Sequence, residues 1–114
     1  MALAGSWARG DPHEDSDLDI VLLTNCTSYY VEATEWVLEI GGESIIGTRT
    51  WGVLTERRVR MPSGLEVDIG VVTPDWASTA PVETGTAAVC ANGLIALHDP
   101  DGVLQRLIRA VSQA

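Results

Sequence analysis

The sequence predicts one α/β (α+β) domain, a mixed β-sheet with helices packed on it. Three observations carry that expectation. Residues 18–24 and 65–73 are short apolar runs bounded by turn residues, the pattern of buried strands. Near the C-terminus Val103, Leu104, Leu107, Ile108 and Val111 recur at helical spacing. A chain of 114 residues suits a single domain, and 46% hydrophobic residues support a core burying roughly 65% of the unfolded surface.

The elements follow in order. Ala2 to Ala4 reads as the end of a short strand, and residues 5–16 as a Gly/Asp/Pro-rich loop. Residues 18–24 form a strand that is apolar on both faces beyond its aspartates, which makes it central. Thr27 or Ser28 caps a helix running to about Ile40, with Tyr29, Ala33, Trp36, Val37 and Ile40 on one face. Gly41-Gly42 ends it, and residues 43–48 form a further strand. Residues 51–61 and 65–73 make a hairpin closed by Pro62-Ser63-Gly64. Residues 75–85 read as loop, 86–92 as a short helix and 94–97 as a strand. A last helix is capped by Asp99 with Pro100 at its first position.

Charge narrows the function classes. Sixteen acidic residues face seven arginines and no lysine, a net charge of −9. Such a chain lacks the clustered basic groups that nucleic-acid binding needs. It suits a small anionic ligand delivered with its own metal ions. Cys26 and Cys90 fit neither a metal spacing nor a disulfide framework and read as buried reduced thiols. Met1-Ala2-Leu3-Ala4 carries no signal-peptide pattern, and no apolar stretch approaches the roughly 20 residues of a membrane span. A cytoplasmic location with no membrane partner is expected.

The chemistry gathers around Asp17-Leu18-Asp19. Residues two apart on a strand point to one face, here about 6.6 Å apart. Two carboxylates held there repel each other and are costly to bury without a cation between them. They can straddle a pair of divalent ions about 3.5–4 Å apart, as in two-metal phosphoryl transfer. The hairpin supplies a third carboxylate, Asp68, on the face it shares with Glu66, Gly70 and Val72. A three-residue loop pairs Met61 with Leu65, which sets Arg58 opposite Asp68 and Arg60 opposite Glu66. These arginines are expected to neutralise the acids in part when no metal is bound, and Gly70 to leave open space beside Asp68. Upstream, Gly5 lets the backbone approach a phosphate closely, the Ser6 hydroxyl donates to it, Arg9 offers a planar fork, and Gly10 relieves the turn.

Gly5-Ser6-Trp7-Ala8-Arg9-Gly10-Asp11, followed by Asp15-Ser16-Asp17-Leu18-Asp19-Ile20, resembles the signature of the DNA polymerase beta-like nucleotidyltransferase superfamily. The nearest likeness is its minimal, kanamycin nucleotidyltransferase-like branch, which includes antitoxins paired with HEPN ribonucleases. The resemblance implies a nucleotidyltransferase-like fold in which Gly5 and Ser6 bind phosphates. It also implies that Asp17 and Asp19 hold two Mg2+ ions while Asp68 binds the catalytic one. The implied reaction moves a nucleoside monophosphate, AMP from ATP or another NMP from its NTP, to an acceptor hydroxyl of a small molecule or protein. Antitoxin-type members imply instead binding or nucleotidylation of a toxin, and a nucleotide-binding remnant without turnover is a third possibility. Residues 1–114 are expected to form one such domain, without the family's usual N-terminal helix and C-terminal acceptor-binding half. The expectation is either that a homodimer mate or a toxin partner completes the site or that the true start codon lies upstream.

Blander roles fit the remaining residues. An EF-hand reading of Asp15, Asp17 and Asp19 fails because Ile20 stands where the loop needs glycine and Cys26 where it needs glutamate. Glu66 reads as a rim acid, His13 as a surface residue, His98 as structural, and Glu14 and Asp15 as loop charges. Trp7, Trp36, Trp51 and Trp76 read as core or rim aromatics, with Trp7 the one near the ligand loop.

Overall fold

A computed structural model describes residues 1–13 and 17–112 of the protein, so the expectations for Glu14, Asp15 and Ser16 lie outside the described residues. Among the described residues six strands form one mixed sheet: β1 (Ala2–Ala4), β2 (Leu18–Leu23), β3 (Ser44–Trp51), β4 (Leu54–Arg60), β5 (Glu66–Val72) and β6 (Leu94–Ala96). Their order across the sheet is β3-β4-β5-β2-β1-β6. β2 is interior, as its two-sided apolar pattern predicts, and runs parallel to β5, while every other pairing is antiparallel.

Helices cover both faces. Trp36 and Val37 pack on Val59, Val67, Ile69 and Val71 on one side. On the other, Trp76, Ala77, Leu104 and Leu107 pack on Ala2, Ala4, Val21 and Val72. Leu104 and Leu107 come from α5 (Val103–Ser112) and are 1% and 0% exposed, so the predicted stripe does bury its centre. Asp99 caps this helix from farther back than expected. Its carboxylate accepts from the N–H groups of Leu104 and Gln105, both at 3.0 Å, while Pro100 lies in a turn before the first helical residue.

Four local expectations are corrected. The segment after β1 is not all loop: α1 (Gly5–Arg9) forms at once and ends at Gly10, whose φ of 77° lets its N–H reach back into the helix. The helix expected over 27–40 is two short ones, α2 (Thr27–Val31) and α3 (Glu35–Glu39). Carbonyls that a continuous helix would use are taken by side chains: Arg57 donates to Tyr30 and Val31, and the Trp36 indole to Ala33. That break leaves Tyr29 and Ile40 exposed rather than on a buried face. Trp51 closes β3 instead of opening the next strand, because Gly52, at φ 60°, turns the chain so that Trp51 pairs with Leu54. Cys26 is exposed and only Cys90 is partly buried.

The second half of the helical cover comes from α4 (Thr84–Ala91), reached through a 3-10 turn at Pro74–Ala77. The Thr86 hydroxyl donates to the Trp76 carbonyl at 3.1 Å, which ties α4 to that 3-10 turn. No helix among the described residues is long and apolar enough to cross a membrane.

Candidate functional site

The carboxylates meet where the helical cover runs out. β2 and β5 run parallel with Asp19 directly beside Asp68, so acids from distant stretches of sequence start from adjacent backbone positions. The hairpin between β4 and β5 has the predicted register: Arg58 pairs with Asp68, Arg60 with Glu66, and the Met61 N–H donates to the Leu65 carbonyl at 2.8 Å. Because paired residues share a face, Arg58 reaches over Asp68 toward β2.

The guanidinium of Arg58 is the cation these acids share. Its Nε donates to Asp68 Oδ1 at 2.7 Å and its Nη2 to Asp68 Oδ2 at 2.9 Å, a two-pronged grip. The same Nη2 reaches Asp17 Oδ2 at 3.2 Å, and Nη1 stands 3.7 Å from Glu66 Oε1. Asp68 is 7% exposed and would be costly to leave unpaired there.

Asp19 has no such partner in this grip. Its carboxyl is pushed up to about 6, first by burial and then by the charges of Asp68, Asp17 and Glu56, with a hydrogen bond to Asp68 adding to the effect. Burial and the charge of Asp68 also push Glu56 up, against the pull of Arg58 and Arg49. Glu56 is a site residue that the sequence reading passed over, although the hairpin register already placed it opposite Gly70 and on the face of Arg58.

Gly5 closes on this cluster from the other side. Its φ is 70°, and a Cβ built on it would lie 2.6 Å from Asp19 Oδ2. The backbone therefore lies against the Asp19 carboxyl where no other residue fits. Gly5 donates its N–H to the Gly93 carbonyl at 3.2 Å, which ties the start of α1 to the end of α4. Ser6 follows on α1 and is half-buried. Arg9 turns to the neighbouring seam, donating to the carbonyl and side-chain oxygens of Asn92, both at 2.9 Å, and to Asp11 at 3.2 Å.

An open cleft of about 710 Å³ runs over the cluster, with Gly5, Asp19, Glu56 and Asp68 on its floor and Leu54, Val89 and Asn92 among its walls. Gly70 lines this cleft beside Asp68, as expected, but Leu54 narrows it there: its Cδ1 would stand 3.0 Å from a Cβ on Gly70. Trp7 is 42% exposed, and Trp36 and Trp76 are core residues. His98 acts through its backbone, its carbonyl accepting from the N-terminal amine at 2.8 Å.

Chemically the acids form a hard oxygen donor set of the kind Mg2+ takes. Burial first, and then the charges of Asp68, Asp17 and Glu56, hold the Asp19 carboxyl above its ordinary value, so a cation placed beside it would be favoured. As they stand, no three acidic, histidine or cysteine side chains among the described residues are gathered tightly enough to hold an ion. A metal would have to draw them together and meet Arg58 already in place.

No curated protein matches the chain. Residues 1–55 match the family model described as the nucleotidyltransferase domain. In that segment, which is less than half of the chain and carries Gly5, Ser6, Arg9, Asp17 and Asp19, the chain is similar to nucleotidyltransferases, and the match supports a transferase of nucleotidyl groups.

Proposed function

We propose that the protein is a Mg2+-dependent nucleotidyltransferase of the minimal type, moving AMP from ATP to a hydroxyl of a small molecule or protein side chain. The observation that carries this reading is the approach of Asp19 to Asp68 across parallel strands, with Asp17 joined to Asp68 through Arg58 and Gly5 against Asp19. The nucleotidyltransferase match over residues 1–55 supports it independently.

Asp17, Asp19 and Asp68 would hold the metal ions, which when bound neutralise triphosphate charge and favour ionisation of the attacking hydroxyl. The chain's own residues do the rest. Gly5 admits the triphosphate close to the backbone, and Ser6 donates its hydroxyl to a phosphate oxygen. Asp68 orients the acceptor oxygen toward the α-phosphorus. A new oxygen–phosphorus bond forms there as the bond to the β-phosphate bridging oxygen breaks, releasing pyrophosphate, and the hydroxyl proton is lost to solvent. Leu54 and Val89 give the cleft an apolar wall against which the nucleoside can rest.

Incubation with labelled ATP, Mg2+ and a panel of hydroxyl acceptors tests the reading. Transfer that Asp19→Asn abolishes supports it. Tight binding of ATP with no transfer to any acceptor would replace it with a nucleotide-binding role.

A further inference from the structure

Arg58 makes contacts that a fixed structural pair does not need. Three of its four ion-pair contacts are hydrogen bonds to the two acids nearest Asp19, while the fourth, to Glu66, is longer, at 3.7 Å. Both oxygens of Asp68 are taken by the guanidinium fork. A divalent ion bound to Asp68 would use at least one of those oxygens, and two cations held on one carboxylate repel each other.

Glu66 offers the guanidinium another place. It stands two residues before Asp68 on β5 and therefore on the same face. Its side chain is 30% exposed, so it lies toward the mouth of the cluster, whereas that of Asp68 is 10% exposed. Closing the Arg58–Glu66 gap requires rotation of long side chains and no change of the backbone ladder.

Resting on the metal reading above, we infer that Arg58 is a displaceable internal counter-ion: it competes with the divalent metal for Asp68 and Asp17, and Glu66 receives its guanidinium when the metal binds. Metal affinity is then set by the exchange of one cation for another rather than by the carboxylates alone. Arg58 acts through those carboxylates and is a positioning residue.

Titration of the full chain with Mn2+, without nucleotide, measures this directly by the free Mn2+ signal in electron paramagnetic resonance. Arg58→Gln removes the competitor and is expected to bind Mn2+ about tenfold more tightly than the wild type, the size of one charge-assisted hydrogen bond. Glu66→Gln removes the receiver and is expected to bind severalfold more weakly. Arg58→Lys keeps the charge and loses the fork. It falls between wild type and Arg58→Gln, and it carries the test if Arg58→Gln does not fold. Wild-type binding with equal or weaker binding in the Arg58 variants overturns the exchange and leaves the metal reading intact. Absence of Mn2+ binding in every variant, wild type included, overturns both.

Discussion

Gly5, the first residue of α1, lies against Asp19 on the neighbouring strand β2, with no room between them for a single carbon: a Cβ on Gly5 would lie 2.6 Å from Asp19 Oδ2. Gly10, at the far end of α1, has a similar φ of 77° but open space around it. The pair separates strain from contact. Gly10→Ala is expected to cost only the left-handed penalty of about 1–2 kcal/mol. Gly5→Ala adds a clash that displaces the Asp19 carboxyl, so it should lose both stability and Mn2+ affinity. Thermal melts with and without Mn2+ distinguish them, and equal Mn2+-induced shifts in the two variants would contradict a site built on Gly5.

The grip of Arg58 on Asp68 predicts an effect that depends on metal. Arg58→Gln leaves a 7% exposed carboxylate without its main partner, an expected loss of about 1–3 kcal/mol in the metal-free protein. Saturating Mg2+ supplies the missing positive charge, so the loss should shrink. Urea unfolding in chelator and in Mg2+ checks this, and an equal loss in both would assign Arg58 a purely architectural role.

Asp19 predicts an unusual slope of stability with pH. Its carboxyl titrates at about 6 in the folded chain against 3.8 ordinarily, because of burial first and then Asp68, Asp17 and Glu56. Between those values the native state holds a proton that the unfolded state has released. Metal-free stability contributed by this group is therefore present at the acid end, falls as pH rises through that window, and levels off above about 6. Asp19→Asn should remove that slope and make the metal-free protein more stable than wild type at neutral pH. Conversely, the stabilisation of wild type by Mg2+ should grow as pH rises through about 6, since the ion replaces the proton. Unfolding midpoints of both proteins across the window decide it.

What the sequence disclosed and what it hid divide by the range of the forces involved. The pairing of Arg58 with Asp68 was legible because a three-residue loop fixes hairpin register within a few residues. The interior place of β2 was legible from its two-sided apolar run. α1 was not, because five residues are too few to display a helical period. The break between α2 and α3 depends on Arg57, far along the chain, taking the carbonyls of Tyr30 and Val31. Leu54 narrowing the space over Gly70 likewise required knowing that a turn at Gly52 starts β4 at Leu54. Contacts across such distances leave no local periodicity to read.

Arg57 and Arg58 are neighbours on β4, yet alternation along the strand sends them to opposite faces of the sheet. Arg58 serves the acids. Arg57, 6% exposed, crosses under α2 to cap its last carbonyls, and its Nε has no hydrogen-bond partner. Its role is therefore to hold α2 on the sheet, at the expense of one unsatisfied donor. Arg57→Met keeps the apolar stem but removes the charge-assisted bonds, an expected net loss of about 1–3 kcal/mol of stability. The cluster of Asp17, Asp19 and Asp68 lies on the other face, so the folded variant should bind Mn2+ as the wild type does. Urea unfolding together with Mn2+ titration of Arg57→Met tests the separation. A Mn2+ affinity that moved with this substitution would mean that the two faces of β4 are coupled and that the site is not positioned by β2, β5 and Arg58 alone.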